Sequence, residues 1–324
     1  MEHNTAQTNP TPLSASPSAI ITAASHSVPF GSVVKMKGHT SPLNECSFSN
    51  DRRLLATASF DKDVGLWDVD SHQCIATFHD HWGTVRSCKF SPDDTLVATA
   101  SVDKMVRSWD VKSRRCIATL NGHSIFASGC AFSADGAVLA STSYDWTVRL
   151  WNMKTFMNVA TLQGHDSCVN GCDISRDGIL ASTSYDMSIR VWDMYTQQCT
   201  SVLTTDTDTS IKCCFTADGA LLASTSARGT VRLWDMRTRH SIATLEDSNE
   251  YTWQCSFSSD GAWIAAACVG SKVARVWDVK TLRCIATLEH DDWVYACSFS
   301  SNGMLSTAGG AQYPAFDFTI HIWQ

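Results

Sequence analysis

The chain has 324 residues, 44% of them hydrophobic, which is enough to bury a sizeable core. Its 25 Lys and Arg are outnumbered by 32 Asp and Glu, and the formal charge of -7 argues against a surface built for nucleic-acid phosphates. The sequence shows neither an apolar run of membrane-spanning length nor a secretory signal, so it predicts a soluble cytoplasmic protein without a membrane partner, and leaves the nucleus open as a second location.

The first 30 residues differ in composition from the rest. Ser, Thr, Ala and Pro dominate there, Glu2 is the one charged side chain, and no hydrophobic period is sustained. Such segments bury too little apolar surface to offset the entropy of ordering. The sequence therefore predicts a disordered leader over residues 1–30 and one folded domain over residues 31–324.

Tryptophan recurs through the rest of the chain at a nearly constant interval. Seven copies are separated by 42, 42, 41, 42, 43 and 46 residues, and six of them are followed by Asp or Asn. They are Trp67, Trp109, Trp151, Trp192, Trp234, Trp277 and Trp323. A fixed period of this length indicates a repeat architecture.

Each copy contains four short runs that alternate as half-buried strands do. In the third copy these runs are SGCAFS, DGAVLASTS, TVRLWN and MNVATL, with turn residues between them. A four-stranded antiparallel unit cannot bury both of its faces alone, so neighbouring units must stack, and a radial stack of seven can close into a ring.

The repeated Gly-His, turn Asp and Trp-Asp occur in register over residues 31–324 and resemble the WD-repeat family. The resemblance implies an all-β, seven-bladed WD40 propeller. It also implies a hydrogen-bond network of His, Ser, Asp and Trp in each complete blade. The matching sets are His39, Ser59, Asp61 and Trp67; His81, Ser101, Asp103 and Trp109; His123, Ser143, Asp145 and Trp151; and His165, Ser184, Asp186 and Trp192.

These repeated His and Asp residues are interpreted as structural. A buried imidazole, carboxylate and indole each need a hydrogen-bond partner, and within the network they supply one another. The fifth and sixth copies have Thr207 with Arg228 and Ser248 with Ser271 in place of His and Asp, so these blades are expected to be looser. The seventh copy has His290 and Asp317, with Ala315 in the Ser position.

The last repeat ends at its third strand, so its blade needs an outer strand from elsewhere. The segment Val33 to Lys37 lies where outer strands lie in the other repeats. We therefore expect the N-terminal strand to pair there and close the ring, because an unpaired edge promotes aggregation.

The fourteen cysteines also follow the repeat. Seven occupy one inner-strand position, namely Cys46, Cys88, Cys130, Cys172, Cys214, Cys255 and Cys297. Since packed sheets lie about 10 Å apart, thiols in different blades are expected to be too distant for disulfides, which need Cα atoms within roughly 7 Å. No metal site, thiol nucleophile or cofactor is predicted.

The WD-repeat resemblance implies that partners dock on the face formed by loops entering the inner strands and by the turn before the structural Asp. Positions two and four residues before the repeated Cys, and just before the Asp, supply the candidates Phe60, Arg86, Phe126, Tyr144, Tyr185, Lys212, Tyr251, Trp253, Trp293, Tyr295 and Phe316. Aromatic rings beside basic groups are typical of interface hot spots. The alternative is that some of these rings are buried as spacers between blades.

A narrower function follows from one short motif. Trp234, Asp235 and Arg237 match a Trp-Asp-x-Arg ending that is similar to that of propellers serving as substrate receptors of cullin-type ubiquitin ligases. Phrases such as DKMVRSWDV and WVYACSFS resemble WD-repeat proteins with a SOCS box, but the box would follow the propeller and the sequence ends at Gln324.

The preferred hypothesis is a non-catalytic scaffold or adaptor that binds proteins or peptides, as a monomeric propeller within a complex. An enzyme is disfavoured, because every His-Asp or Cys grouping is explained by the repeat. A nucleic-acid binder would need a basic face, of which Lys112, Arg114 and Arg115 form only a small patch. A purely architectural subunit is the third alternative.

Overall fold

Seven four-stranded antiparallel sheets form a closed ring. The computed structural model describes residues 30–205, 208–246, 251–310 and 318–324, and no helix occurs among them. Each innermost strand packs beside the innermost strand of the next sheet, and the last of them packs beside the first. The predicted seven-bladed all-β propeller is therefore confirmed.

The blades follow one another in chain order. Blade 1 consists of β2 (Leu43–Phe48), β3 (Leu54–Ser59), β4 (Val64–Asp68) and β5 (Gln73–Phe78); blade 2 of β6 (Val85–Phe90), β7 (Leu96–Ser101), β8 (Val106–Asp110) and β9 (Arg115–Leu120); blade 3 of β10 (Ala127–Phe132), β11 (Val138–Ser143), β12 (Val148–Asn152) and β13 (Met157–Leu162); and blade 4 of β14 (Val169–Ile174), β15 (Ile179–Ser184), β16 (Ser188–Asp193) and β17 (Gln198–Thr204). Blade 5 consists of β18 (Ser210–Phe215), β19 (Leu221–Ser226), β20 (Thr230–Asp235) and β21 (His240–Glu246); blade 6 of β22 (Thr252–Phe257), β23 (Trp263–Cys268), β24 (Val273–Asp278) and β25 (Arg283–Glu289); and blade 7 of β26 (Val294–Phe299), β27 (Leu305–Gly309), β28 (Thr319–Trp323) and β1 (Val33–Lys37).

The apolar core lies between blades rather than at one centre. Leu66 and Phe78 of blade 1, for example, pack against Val97 and Trp109 of blade 2. The Phe78 and Trp109 rings stack with centroids 4.8 Å apart. Because each sheet buries both faces against its neighbours, every blade is stabilised by the two blades beside it.

The N-terminal strand closes the ring as predicted. β1 pairs antiparallel with β28 over five residue pairs, from Val33 opposite Trp323 to Lys37 opposite Thr319. Met36 is buried between blades 7 and 1. Just before the strand, Phe30 packs against the cluster between blades 6 and 7, and the rest of the predicted leader, residues 1–29, lies outside the described residues.

A four-residue hydrogen-bond network occurs in each of the first four blades. In blade 2, His81 Nδ1 lies 2.7 Å from Asp103 Oδ2 and its Nε2 lies 2.8 Å from Thr99 Oγ1. Trp109 Nε1 donates to the same Thr99 oxygen at 2.9 Å. Equivalent contacts join His39, Thr57, Asp61 and Trp67; His123, Ser141, Asp145 and Trp151; and His165, Ser182, Asp186 and Trp192.

The predicted serine of this network was wrong by two residues. Thr57, rather than Ser59, receives the indole, because Trp67 pairs with Leu55 and Thr57 is its diagonal neighbour on β3. Ser59 lies at the strand end, where its hydroxyl accepts the backbone N–H of Asp61. The same correction applies to Ser101, Ser143 and Ser184, which accept the N–H of Asp103, Asp145 and Asp186.

Buried charge in the network is stabilised by its partners. Burial alone would raise the pKa of Asp61, but the hydrogen bond and charge of His39 lower it to about 2. Burial lowers the pKa of His81, against the opposing influence of Asp103.

The network is incomplete in the later blades. Trp234 Nε1 donates to Ser224 Oγ at 3.0 Å in blade 5, whereas Ala266 occupies the hydroxyl position in blade 6. In blade 7, Thr307 Oγ1 lies 3.0 Å from His290 Nε2 and accepts from Trp323 Nε1 at 2.7 Å. Thr207, Ser248, Ala315 and Asp317 lie outside the described residues.

Candidate functional site

The loops that enter the inner strands and the turns between the second and third strands lie on one face of the ring, called here the upper face. Backbone hydrogen bonds tie each loop to the turn of its own blade, as in Phe60 N to Pro42 O at 2.9 Å and Tyr144 N to Phe126 O at 3.0 Å. Residues chosen from the loops and from the turns are therefore brought together, which is what a composite binding surface requires.

Aromatic rings surround the upper mouth of the central channel. The set consisting of Phe60, Arg86, Phe126, Tyr144, Tyr185, Trp253, Trp293 and Tyr295 is called here the upper aromatic cluster. Tyr295 contacts Phe60 and Trp293, each with ring centroids 6.4 Å apart, and meets Trp253 edge-on at 5.9 Å. On the opposite side of the mouth, Tyr144 meets Phe126 at 5.9 Å and Tyr185 at 6.0 Å.

Arg86 connects the two sides of the upper aromatic cluster. Its guanidinium carbon lies 5.4 Å from the Tyr144 ring centre in blade 3 and 5.5 Å from the Trp253 ring centre in blade 6. Both distances are within the range of a cation–π interaction.

Exposure divides the predicted face residues into two groups. Tyr251, Trp293, Tyr185 and Phe126 are 52%, 41%, 39% and 38% exposed, so their rings present apolar surface to solvent. Phe60, Arg86, Tyr144, Trp253 and Tyr295 are half-buried, and Tyr144 and Tyr295 contact the exposed rings of Phe126, Tyr185 and Trp293. The alternative that these rings are buried spacers between blades therefore applies to the half-buried residues only.

Lys212 does not lie on the upper face, and its predicted position was wrong. The turn between β14 and β15, from Ile174 to Ile179, is one residue shorter than the corresponding turn of the other blades. Cys213 and not Cys214 therefore pairs with Ser224 at the hydroxyl position of the next strand. Lys212 consequently points into the channel, where its ammonium lies 3.3 Å from Glu45 Oε2.

Two thiols of neighbouring blades lie close together. Cys214 Sγ and Cys255 Sγ, in neighbouring blades, are 3.3 Å apart, contrary to the spacing expected from the sheet separation. All fourteen cysteines are free thiols.

Phe316 lies outside the described residues. In blade 7 the turn residue whose N–H bonds to the entering loop is Gly310, which donates to Trp293 O at 2.9 Å.

Four exposed apolar residues of the upper face were not predicted. Trp146 and Met187, 52% and 47% exposed, follow the structural Asp of their blades with φ of 71° and 62°. A residue held left-handed in such a tight turn projects its side chain outward, so its position one residue after the Asp was a usable signal. Trp82 and Ile125, 65% and 43% exposed, follow the network His by one and two residues.

A buried polar cluster crosses the channel below the aromatic rings. Glu45 of blade 1 accepts Lys89 Nζ of blade 2 at 2.8 Å, Lys212 Nζ of blade 5 at 3.3 Å and Gln254 Nε2 of blade 6 at 3.2 Å. Burial would raise the pKa of Glu45, but Lys212 and Lys89 lower it below its ordinary value. These residues also line a cavity of about 380 Å³ that extends past Asp173 toward Phe215 and Phe299.

The ligase-type motif lies on the opposite, lower face. Trp234 is buried, and Asp235 accepts the Thr238 backbone N–H at 2.7 Å. The Asp at this position has the same turn-closing role in other blades, for example Asp68 with Ser71. Arg237 is exposed. Only Arg237 of the three therefore has a side chain available to a partner.

The described residues contain no group of three His, Cys, Asp or Glu side chains arranged to hold a metal ion. None of them forms a helix long and apolar enough to cross a membrane. Burial raises the pKa of the inner-strand thiol of Cys130 to about 11, which opposes formation of a nucleophilic thiolate there.

The closed ring of seven four-stranded blades and its two loop faces define a β-propeller. A family model described as "IFT122 first beta-propeller" matches residues 84–313, and one described as "WD domain, G-beta repeat" matches residues 30–68. The chain belongs to the WD-repeat β-propeller family.

Similarity to curated relatives is local. A protein of Aspergillus terreus, "Probable E3 ubiquitin ligase complex SCF subunit sconB", is 44% identical over 48 residues, which are 15% of this chain and 7% of the relative. Proteins of the same description from Emericella nidulans and Aspergillus clavatus are each 40% identical, over 52 and 48 residues; the matches cover 16% and 15% of this chain and 8% and 7% of the relatives. The matched segments thus span less than a tenth of these relatives.

Proposed function

We propose that this chain is a non-catalytic scaffold or adaptor that binds protein or peptide partners on its upper face. The observation that carries the proposal is the concentration of exposed aromatic side chains there, with Tyr251 and Trp293 on one side of the channel mouth and Phe126 and Tyr185 on the other. Exposed apolar clusters of this kind, rimmed by polar residues, are typical of protein interaction sites.

The double substitution Tyr251→Ala, Trp293→Ala tests the proposal. Both side chains are exposed, so their removal should leave the melting temperature nearly unchanged and should abolish capture of partners identified with the wild-type chain. Tyr195→Ala is a matched control, because Tyr195 is a 90% exposed aromatic residue on the lower face. Partners retained by the double variant but lost with Tyr195→Ala would place binding on the other face and contradict the proposal.

A substrate receptor of a cullin-type ubiquitin ligase is a second candidate. The partial similarity to proteins described as SCF subunits and the exposed Arg237 favour it. Under this hypothesis, cullin adaptors co-purify with the wild-type chain and are lost with Arg237→Ala, while Arg283→Ala, another exposed arginine substitution, retains them. Association that is absent, or equal in both variants, argues against the receptor role.

A further inference from the structure

Arg86 differs from the residues at the equivalent inner-strand position of other blades. Asn44 and Asn170 donate there to main-chain carbonyls of the next blade, Val85 O at 2.8 Å and Ser210 O at 3.2 Å. The longer Arg86 instead spans the channel mouth between the Tyr144 and Trp253 rings. It makes neither an ion pair nor a hydrogen bond through its guanidinium to any residue between 30 and 324 that the structure describes.

A second hydrogen-bond donor next to Arg86 also lacks an acceptor. The indole Nε1 of Trp253 is buried and has no hydrogen-bond partner among the described residues. A guanidinium has five N–H donors and an indole has one, and a buried donor left unmatched costs about 1 to 3 kcal/mol. The mouth of the channel is thus rich in donors that an incoming acceptor would satisfy.

The charge at this point is a single positive one. Within the upper aromatic cluster Arg86 alone is charged, and the ammonium groups of Lys89 and Lys212 in the channel are already paired with Glu45. Asp292 lies close enough to Tyr295 to add to the effect of burial in raising the pKa of that phenol. One guanidinium with an acid nearby suits a singly charged carboxylate better than a doubly charged phosphate, which usually needs several cations.

A cationic ligand is disfavoured by the same geometry. The faces of Tyr144 and Trp253 that would receive a cation are already occupied by Arg86, and a second positive charge there would be repelled.

We propose that the upper face binds a peptide segment that places an Asp or Glu carboxylate beside Arg86. Apolar side chains on either side of that acid pack on Trp293 and Tyr251 in one direction and on Phe126 and Tyr185 in the other. The inference rests on the proposed scaffold function and names the chemistry of its partner.

The probe is a phage-displayed library of random twelve-residue peptides, selected on the full chain. We expect the enriched sequences to share one acidic residue flanked by aromatic or aliphatic residues. A synthetic selected peptide is then compared by fluorescence polarisation with analogues in which the acid is replaced by its amide or by phosphoserine. The amide analogue should bind about tenfold more weakly or worse, since it loses a charge-assisted hydrogen bond.

Variants of the chain complete the test. Arg86→Gln should weaken binding of the acidic peptide as much as the amide replacement does, and should leave binding of the amide analogue unchanged. Arg283→Gln should change the affinity of neither peptide. The inference is overturned if the acidic peptide and its amide analogue bind equally, or if the selected sequences share no acidic residue. Tighter binding of the phosphoserine analogue also overturns it. If such peptides still lose binding with Tyr251→Ala, Trp293→Ala, the scaffold function stands; peptides indifferent to that double variant contradict the scaffold function itself.

Discussion

A buried indole needs an acceptor, and strand register decides which hydroxyl supplies it. Thr99 Oγ1 accepts a hydrogen bond from the Trp109 indole and also pairs with His81 Nε2, so one oxygen links two strands and the entering loop of blade 2. In blade 6 the corresponding residue is Ala266, and Trp277 lacks this link. The same tryptophan therefore contributes differently to stability in the two blades.

Trp109→Phe is expected to lower the free energy of unfolding more than Trp277→Phe does, by about 1 to 2 kcal/mol. Both substitutions remove similar apolar area, so the difference isolates the hydrogen bond to Thr99. Urea unfolding of the two variants measures it. Equal losses would show that the network adds nothing to packing.

His290 is expected to make the free energy of unfolding depend on pH. Burial, the stacked ring of His321 and the charge of Lys35 lower the pKa of His290 to about 3. Because the pKa in the folded state lies below that of an unfolded histidine, the contribution of His290 is fully present above about pH 6.5 and is lost as the pH falls toward 3.

The urea midpoint of the wild type should therefore fall between pH 7 and pH 5, the range over which an unfolded histidine takes up its proton. His290→Gln should show a smaller fall, since glutamine does not titrate, while His240→Gln, a change at an exposed histidine, should match the wild type. If the urea midpoint of His290→Gln falls with pH as steeply as that of the wild type, this histidine is not the cause of the pH dependence.

At the scale of the element, one short turn in blade 4 explains why the position of Lys212 was predicted wrongly. The β14–β15 turn has one residue fewer than the corresponding turns, so the blade 5 residues equivalent to Glu45 and Cys46 are Lys212 and Cys213. The adjacent Cys213 and Cys214 offered two alignments from the sequence, and the one through Cys214 was wrong. Only the pairing with β19 distinguishes them.

Glu45→Gln should destabilise the chain strongly, by roughly 3 to 5 kcal/mol. The substitution leaves the ammonium of Lys212 buried without a carboxylate, at a place where the inner strands of four blades meet. Chemical denaturation provides the measurement, with Glu289→Gln on the exposed end of β25 as control. A loss below about 1 kcal/mol would mean that water replaces the carboxylate.

For the whole molecule, closure depends on a strand distant in sequence from its partner. A chain that begins at residue 30 keeps β1 and should melt as the full chain does, whereas a chain that begins at residue 38 exposes β28 and loses buried Met36. We expect the shorter chain to aggregate or to melt at a much lower temperature. Differential scanning calorimetry with light scattering distinguishes the outcomes; identical melting of both chains would refute closure by β1.

The ring and its closure could be predicted because they depend on periodic features: the interval between Trp67 and Trp109 recurs, and the alternation within β1 is local. Contacts across the channel could not be predicted from the sequence. The pairing of Arg86 with rings in blades 3 and 6, and the convergence of Lys89 and Lys212 on Glu45, depend on the diameter of the ring and on strand irregularities. The residue types in the sequence indicated a binding face. Only the structure shows that Lys212 pairs with Glu45 in the channel, which leaves Arg86 as the one charged residue of the upper aromatic cluster.

The polar cluster around Glu45 lies across the channel, below Arg86 and its rings, and lines the cavity that reaches Phe215 and Phe299. A peptide bound beside Arg86 as proposed would leave the lower face open to a second partner. Inner strands of six residues correspond to a separation of roughly 20 Å between the two openings. Two molecules held that close would experience a high mutual concentration, and the body between them would fix their relative orientation.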